Sequence, residues 1–278
     1  MSDVVSSVGK QGSHRDTEAQ RNGMRDSDLI NDRPPLKRNP MAGVALGTAI
    51  VAALMVLLAG PGTRMGVWHF RTGFSLMRWG AYLAVLAALF SIVALVLVRG
   101  RRRGVLPSVL ALGIAAGTFY VPWSFLQKAK SVPPIHDITT DTRNPPPLVA
   151  TLPLREETGA TNPPAYEGDS IARQQQAAYP DVKPVMLAMT PDSAYGHALR
   201  AAREMGWEIV AAERDEGRIE ATATTGWWGF KDDVVIRVAP ASGIARVDVR
   251  SVSRVGKSDV GANAERIRAY VRRLDGGG

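Results

Sequence analysis

The sequence predicts an α+β protein in which three N-terminal transmembrane helices precede a soluble domain with an antiparallel four-stranded sheet flanked by helices. Two observations predict this architecture. Three long stretches in the first half contain no charged residue. In the second half, strand-length runs that alternate apolar and polar residues lie between two amphipathic helical patterns. The chain therefore divides into a membrane anchor at residues 41–127 and a soluble portion after it.

The three uncharged stretches, residues 41–60, 79–98 and 104–127, are 20, 20 and 24 residues long. A bilayer core about 30 Å thick is crossed by roughly 20 apolar residues in a helix, and backbone polar groups in hydrocarbon must be satisfied within the segment. Each stretch is therefore predicted to be a transmembrane helix. None contains Asp, Glu, Lys, Arg or His, the residues that mark ion and proton pathways, so the anchor is not predicted to be a transporter.

Basic residues near the spans predict the orientation, because cytoplasmic flanks are enriched in Lys and Arg. Seven lie before the first span or between the second and third, including an Arg-Gly-Arg-Arg-Arg cluster at 99–103, and five lie on the other side. The count favours a cytoplasmic N-terminus and an extracytoplasmic (periplasmic) soluble portion. Aromatic residues at the span ends predict interfacial belts on the outer side: Trp68, Phe70, Phe74, Trp79, Tyr120, Trp123 and Phe125.

The net charge of +8 lies entirely in the membrane half. Residues 1–127 hold 14 Lys and Arg against 6 Asp and Glu, whereas residues 128–278 hold 20 against 20. A neutral soluble portion lacks the basic footprint of a nucleic-acid-binding protein, so no nucleic acid is predicted as a partner. The chain contains no cysteine, which excludes disulfides and cysteine-ligated metal sites.

The segments that flank the anchor have compositions typical of irregular structure. Residues 1–40 are rich in Asp, Arg, Asn, Ser and Gly, which predicts a disordered cytoplasmic tail. Residues 128–190 form a proline-rich extended segment, since 11 of the 18 prolines fall within residues 131–191. Near its start, residues 135–141 (Ile-His-Asp-Ile-Thr-Thr-Asp) alternate like a short strand with prolines at each end.

The α+β domain is predicted over residues 191–275. A first helix runs to about residue 205 with Asp192 as its cap, and a closing helix covers residues 263–274. Four strands lie between them, at residues 207–213, 218–225, 233–240 and 244–254. Residues 226–230 (Gly-Trp-Trp-Gly-Phe) form an aromatic loop. Alternation in the last two strands puts valines on the helix-packed face and charged residues on the other, which is expected to meet water or a ligand.

Three phrases of the soluble portion resemble a bacterial family known as domain of unknown function 1499. They are residues 135–146, residues 230–237 (Phe-Lys-Asp-Asp-Val-Val-Ile-Arg) and residues 247–268. The resemblance covers about residues 130–275 and implies a domain associated with the bacterial cell envelope, often behind membrane helices. With the predicted spans, this places the helices in the inner membrane. It supplies no established activity, substrate, cofactor or catalytic residue.

One group of polar residues could act as acid and base in an envelope hydrolase or bind a metal, provided that its members converge. The group consists of His136, Asp137, Asp141, Asp232 and Asp233. The structural alternatives are side chains that stabilise a proline-bounded turn and a cross-strand ion pair between Asp233 and Arg250.

A second group leads into the closing helix and could hold an anion, since arginines, hydroxyls and a helix start favour phosphate or carboxylate. Its members are Arg250, Ser251, Ser253, Arg254, Lys257, Ser258, Asp259 and Asn263. The structural alternative is that Ser258 or Asp259 caps the helix and that an Arg–Asp network fixes the loop. The resulting prediction is a membrane-anchored binding or interaction module without catalytic residue, cofactor or metal. Its predicted partners are the lipid bilayer and an anionic envelope component or a protein.

Overall fold

A computed structural model describes residues 39–97, 104–274 and 276. Within them the protein consists of a three-helix bundle followed by an α+β domain, which confirms the predicted fold class. The predicted disordered tail up to residue 38 and the basic cluster at residues 99–103 lie outside the described residues.

The bundle is formed by α1 (Pro40–Arg64), α2 (Phe70–Leu97) and α3 (Val105–Ser131). Each helix is long and apolar enough to cross a membrane, with a mean hydropathy of 2.4, 2.5 and 1.7 respectively. Alanines fill the interior, and such small side chains let helix backbones approach closely. The alanines of the largest buried cluster in the bundle are Ala45, Ala49, Ala52, Ala84, Ala87, Ala111 and Ala115.

The soluble domain lies at one end of the bundle, where α1 ends, α2 begins and α3 ends. At the other end the side-chain amide of Asn39, which precedes α1, donates to the Ala94 carbonyl near the end of α2 at 3.4 Å. Asn39 and the end of α2 therefore lie at the end of the bundle opposite the domain.

The antiparallel sheet has six strands, so the predicted number of four is wrong. They are β1 (Asp137–Thr139), β2 (Val185–Leu187), β3 (Glu208–Glu213), β4 (Arg218–Thr224), β5 (Lys231–Ala241) and β6 (Ile244–Ser253). The order is β3-β4-β5-β6, and both β1 and β2 pair with the far side of β6. The two additional strands come from the proline-rich segment. β1 lies within residues 135–141, which the sequence predicts to alternate like a short strand but which the predicted four-stranded sheet does not include. β2 has only three residues, and alternation over three residues is too short to recognise as a period.

Four helices complete the domain: α4 (Leu152–Glu157), α5 (Asp169–Ala178), α6 (Pro191–Glu204) and α7 (Ala262–Leu274). The last two pack on one face of the sheet, where Ile236, Val249 and Tyr270 are among the buried residues. Their positions agree with the predicted helices.

The cap of α6 differs from the prediction. The helix begins at Pro191, and Thr190 Oγ1 accepts the Ser193 amide N–H at 3.3 Å. Asp192 is therefore inside the first turn, where a carboxylate interacts favourably with the helix dipole but does not cap it. Proline at the first helical position has no amide hydrogen to satisfy, which explains why the helix can start there.

Candidate functional site

The second face of the sheet carries a layer of charged side chains that the chain itself covers. Residues 141–164 lie over this face, and Leu148 packs there against Val235 and Val252. The expectation that this face meets water or a ligand therefore fails for its central part. The buried charged residues of this face are Asp137, Arg155, Glu220, Asp233, Asp248, Arg250 and Arg254. Because buried ions require partners, their contacts decide what this face can do.

Arg250 is bound to Asp137 of β1 on this covered face. Its Nε and Nη2 atoms donate to the two carboxylate oxygens of Asp137 at 3.0 and 2.7 Å. Two further N–H groups donate to the carbonyls of Pro146 and Pro164 at 3.1 and 2.8 Å. Burial raises the pKa of Asp137 by more than the Arg250 guanidinium lowers it. Arg250 therefore links the sheet to residues 141–164, the segment that covers this face.

Asp233 is the centre of a second buried cluster. Its carboxylate accepts Arg155 Nη1 at 2.7 Å and Arg254 Nη2 at 2.7 Å, and Thr222 Oγ1 donates to it at 3.2 Å. The predicted ion pair between Asp233 and Arg250 is therefore wrong. The register explains the difference, because Asp233 lies opposite Val252, two residues from Arg250, and Arg250 lies opposite Val235.

Glu220 holds the start of α4, a role that sequence reasoning missed. Its carboxylate accepts the backbone N–H groups of Val149, Ala150 and Thr151 at 2.9–3.1 Å. Burial alone would raise the pKa of Glu220, but the amide donors outweigh it and hold the pKa below the ordinary value of 4.5. A signal was present, since Glu220 shares strand β4 with the core residues Ile219 and Ala221.

We expect Glu220→Gln to destabilise the domain by about 2–3 kcal/mol at pH 7, because it removes hydrogen bonds to a charged acceptor. A carboxyl whose folded pKa is lowered stabilises the fold above its unfolded pKa, and this contribution is lost as pH falls through the folded pKa. The deficit of the variant should therefore shrink from pH 7 to pH 3 in urea unfolding of the full chain. The exposed Glu213→Gln is the control, and a deficit that does not change with pH would contradict the assignment.

Asp141, which is partly exposed, and Asp248, which is buried, lie at one edge of the same layer. Arg237 Nη2 lies 3.2 Å from Asp141 and 2.8 Å from Asp248. Arg246 Nη2 lies 2.7 Å from Asp141 and 3.0 Å from Asp248. Asp141 also accepts the backbone amides of the turn that follows it. Arg237 of β5 and Arg246 of β6 thus link Asp141, in the segment that covers the face, to Asp248 in the sheet.

The residues considered for an envelope hydrolase are not gathered in one cleft. Asp137 and Asp233 flank β6 on the same face, so their backbones are roughly 9–10 Å apart, and each is bound by different arginines. Asp232 points to the opposite face and binds an arginine of α7 at 2.5 Å. His136 Nε2 lies 3.8 Å from a carboxylate oxygen of Glu167.

The predicted anion-binding group at residues 250–263 is divided between the two faces. Its arginines belong to the covered face, whereas Ser251 Oγ donates to Asn263 Oδ1 at 2.7 Å on the other. Asn263 Nδ2 donates to Ser253 Oγ at 3.0 Å. Asp259 accepts two backbone amides at 2.8 Å and caps α7, as the structural alternative predicted. Burial raises the pKa of Asp259 by more than these amide donors lower it.

The aromatic loop at residues 226–230 joins the soluble domain to the membrane helices. Trp228 stacks on Phe230 with ring centroids 5.8 Å apart, and its ring lies 4.6 Å from that of Phe74 in α2. Arg64, at the end of α1, donates to the Gly226 carbonyl. Sequence reasoning placed the loop correctly but gave it no role.

A cavity of about 420 Å³, the junction pocket, lies beside this loop between the domain and the helix ends. Its aromatic lining comes from Phe70, Phe74, Phe125, Trp228 and Phe230. Its polar lining comes from Lys128, Thr225, Asp232, Ser253, Lys257, Ser258 and Asp259. Four residues of the predicted anion-binding group therefore line this pocket, and the aromatic residues opposite them come from parts of the chain that the prediction did not connect. Among the residues that the structure describes, no group of three or more His, Asp or Glu is placed to hold a metal ion.

A comparison with protein families identifies the soluble domain. The profile of a family described as "Protein of unknown function (DUF1499)" matches residues 137–274, from β1 to the end of α7. The resemblance seen in the sequence is thereby confirmed over these residues. No curated protein matches the chain.

Proposed function

We propose that this DUF1499 domain and the helices that precede it form a membrane-anchored extracytoplasmic binding module of the bacterial cell envelope. The observation that carries the proposal is the junction pocket, which is lined by both the domain and the anchor. Such a pocket exists only while the domain is held against the helix ends. The helices therefore serve as part of the binding site as well as an attachment.

The contacts of the charged residues favour binding over hydrolysis. A general base must reach a substrate proton directly or through one water. Asp137 and Asp233 are buried and accept hydrogen bonds from arginines, so they act as structural ions. The polar group around His136 thus provides no observation in favour of a hydrolase. An anionic envelope component or a protein remains the proposed class of partner.

The proposed orientation places the N-terminus in the cytoplasm and the domain in the periplasm, with the helices in the inner membrane. It rests on the seven basic residues on one side against five on the other. The bundle is consistent with it, because Asn39 and the end of α2 lie opposite the domain, and the two stronger basic flanks adjoin these residues in the sequence. Both flanks can therefore be cytoplasmic at the same time.

Cysteine labelling tests this orientation without background, since the chain contains no cysteine. In intact spheroplasts, a membrane-impermeant maleimide should label Ser170→Cys, at an exposed position of α5, within minutes. It should label Ser27→Cys in the N-terminal segment only after the membrane is permeabilised. The opposite pattern would overturn the extracytoplasmic location.

The binding claim is tested on the full chain purified in a mild detergent. Native mass spectrometry should detect a retained small molecule, and the absence of any retained species would count against a binding module. The identity of that species is a separate question.

A further inference from the structure

The junction pocket combines two surfaces that seldom occur together in a soluble domain. Phe70 begins α2 and Phe125 lies in the last two turns of α3, so the aromatic lining is at the level where the apolar helices end. Lys128 and Lys257 lie on the domain side of the same cavity. An apolar surface next to cationic groups at this level has the character of a site for an anionic amphiphile.

The acidic residues of the pocket accept hydrogen bonds from other groups of the protein. Asp232 binds Arg266 at 2.5 Å, and Asp259 accepts two backbone amides at the start of α7. Both carboxylates therefore have donors within the protein. The two lysines remain as the cationic groups that can act on a ligand.

Both lysines can bind a ligand without breaking a buried interaction. Lys128 pairs with Glu265 at 3.0 Å, and both side chains are more than half exposed, so this pair contributes little and can exchange. Lys257 has no ion pair with any residue of the described chain. Ser258 Oγ accepts the Val260 amide at 3.1 Å, and its own hydroxyl hydrogen remains available to donate.

We infer that the junction pocket binds an anionic phospholipid taken from the surrounding bilayer. One acyl chain lies among the rings of Phe74, Phe125 and Trp228, and the phosphate lies between Lys128 and Lys257. A cavity of about 420 Å³ is in the range of pockets that enclose a single small ligand, which suits one chain and not a whole lipid. The bilayer is the source because the aromatic lining adjoins the helix ends.

This inference rests on the proposed function and names the ligand class of its pocket. The test uses the full chain, delipidated by detergent exchange and titrated with phosphatidylglycerol or phosphatidylcholine of equal chain length. Native mass spectrometry gives the bound fraction. We expect phosphatidylglycerol to bind more tightly. The double variant Lys128→Gln/Lys257→Gln should bind it about 30-fold more weakly, because each lysine beside an anionic lipid contributes roughly fivefold.

The matched control is Lys130→Gln/Lys183→Gln, which removes the same charge. Lys130 is in the same last turn of α3 as Lys128 but does not line the pocket. This control should bind phosphatidylglycerol like the wild type. An equal loss in both double variants would show attraction by diffuse surface charge and would overturn the inference. Equal affinity for the two lipids would overturn it as well.

The failure of this inference can be distinguished from failure of the proposed function. If the freshly purified chain retains a species that is not a phospholipid, the lipid assignment is wrong while the binding module stands. If it retains nothing and binds neither lipid, both are wrong. The lysine variants change only exposed side chains and should leave the domain folded. Weaker lipid binding by these variants would therefore not be explained by unfolding.

Discussion

Asp233→Asn is expected to lower the free energy of unfolding of the soluble domain by about 3–5 kcal/mol. The carboxylate is fully buried and lies 2.7 Å from both Arg155 and Arg254. The amide keeps the shape of the side chain but removes its charge, which leaves two buried guanidinium groups around a neutral acceptor. Pulse proteolysis of the full chain in detergent micelles, at increasing urea concentration, measures the loss.

The matched control for this prediction is Asp181→Asn. Asp181 binds Arg268 through two hydrogen bonds of 2.6 and 2.7 Å, which resembles the geometry at Asp233, but both partners are substantially exposed. An exposed pair is worth about 0–1 kcal/mol because water and salt screen it. The difference between the two variants isolates the effect of burial. Equal losses would mean that the Asp233 cluster is open to water.

The helices and strands in which apolar residues recur at a regular spacing could be predicted from the sequence. The helical spacing of Ala194, Ala198 and Ala202 predicts the buried side of α6 from the sequence alone, and all three are fully buried. The alternation of Val234 and Ile236 identified the core side of β5 in the same way. Each pattern shows which side of a single helix or strand is buried. It can therefore be recognised without knowing which residues pack against that side.

The contacts of the covered face could not be predicted in this way. Asp137 binds Arg250 across 113 positions of sequence, and Arg155 binds Asp233 across 78. The rules that pair charges act between near neighbours on a helix or on adjacent strands. They suggested the wrong pair because Arg155 lies in a proline-rich segment that has no regular period. The junction pocket escaped prediction for a similar reason, since its rings come from two helices and a distant loop.

Trp228→Ala is expected to release the aromatic loop from the membrane helices while the domain remains folded. Trp228 is only 8% exposed and packs with Val56, Ala59 and Met77 of the bundle. Its approach is so close that a Cβ atom at Gly73 would lie 2.8 Å from the ring. Truncating a buried tryptophan costs about 3–5 kcal/mol. The loop should therefore open at least about 100-fold more often in hydrogen exchange of the full chain in lipid nanodiscs.

The readout compares two peptides, residues 225–231 and β6 at residues 244–253. Exchange should accelerate in the first, where Thr225 and Phe230 hydrogen-bond across the loop at 2.8 Å, and stay slow in the second. Trp123→Ala is the control, because Trp123 is 45% exposed on α3 and does not line the pocket. Faster exchange in both peptides would mean that Trp228 supports the domain core. Unchanged exchange in both would mean that the loop is held by other contacts, and the domain would then stay docked without its tryptophan.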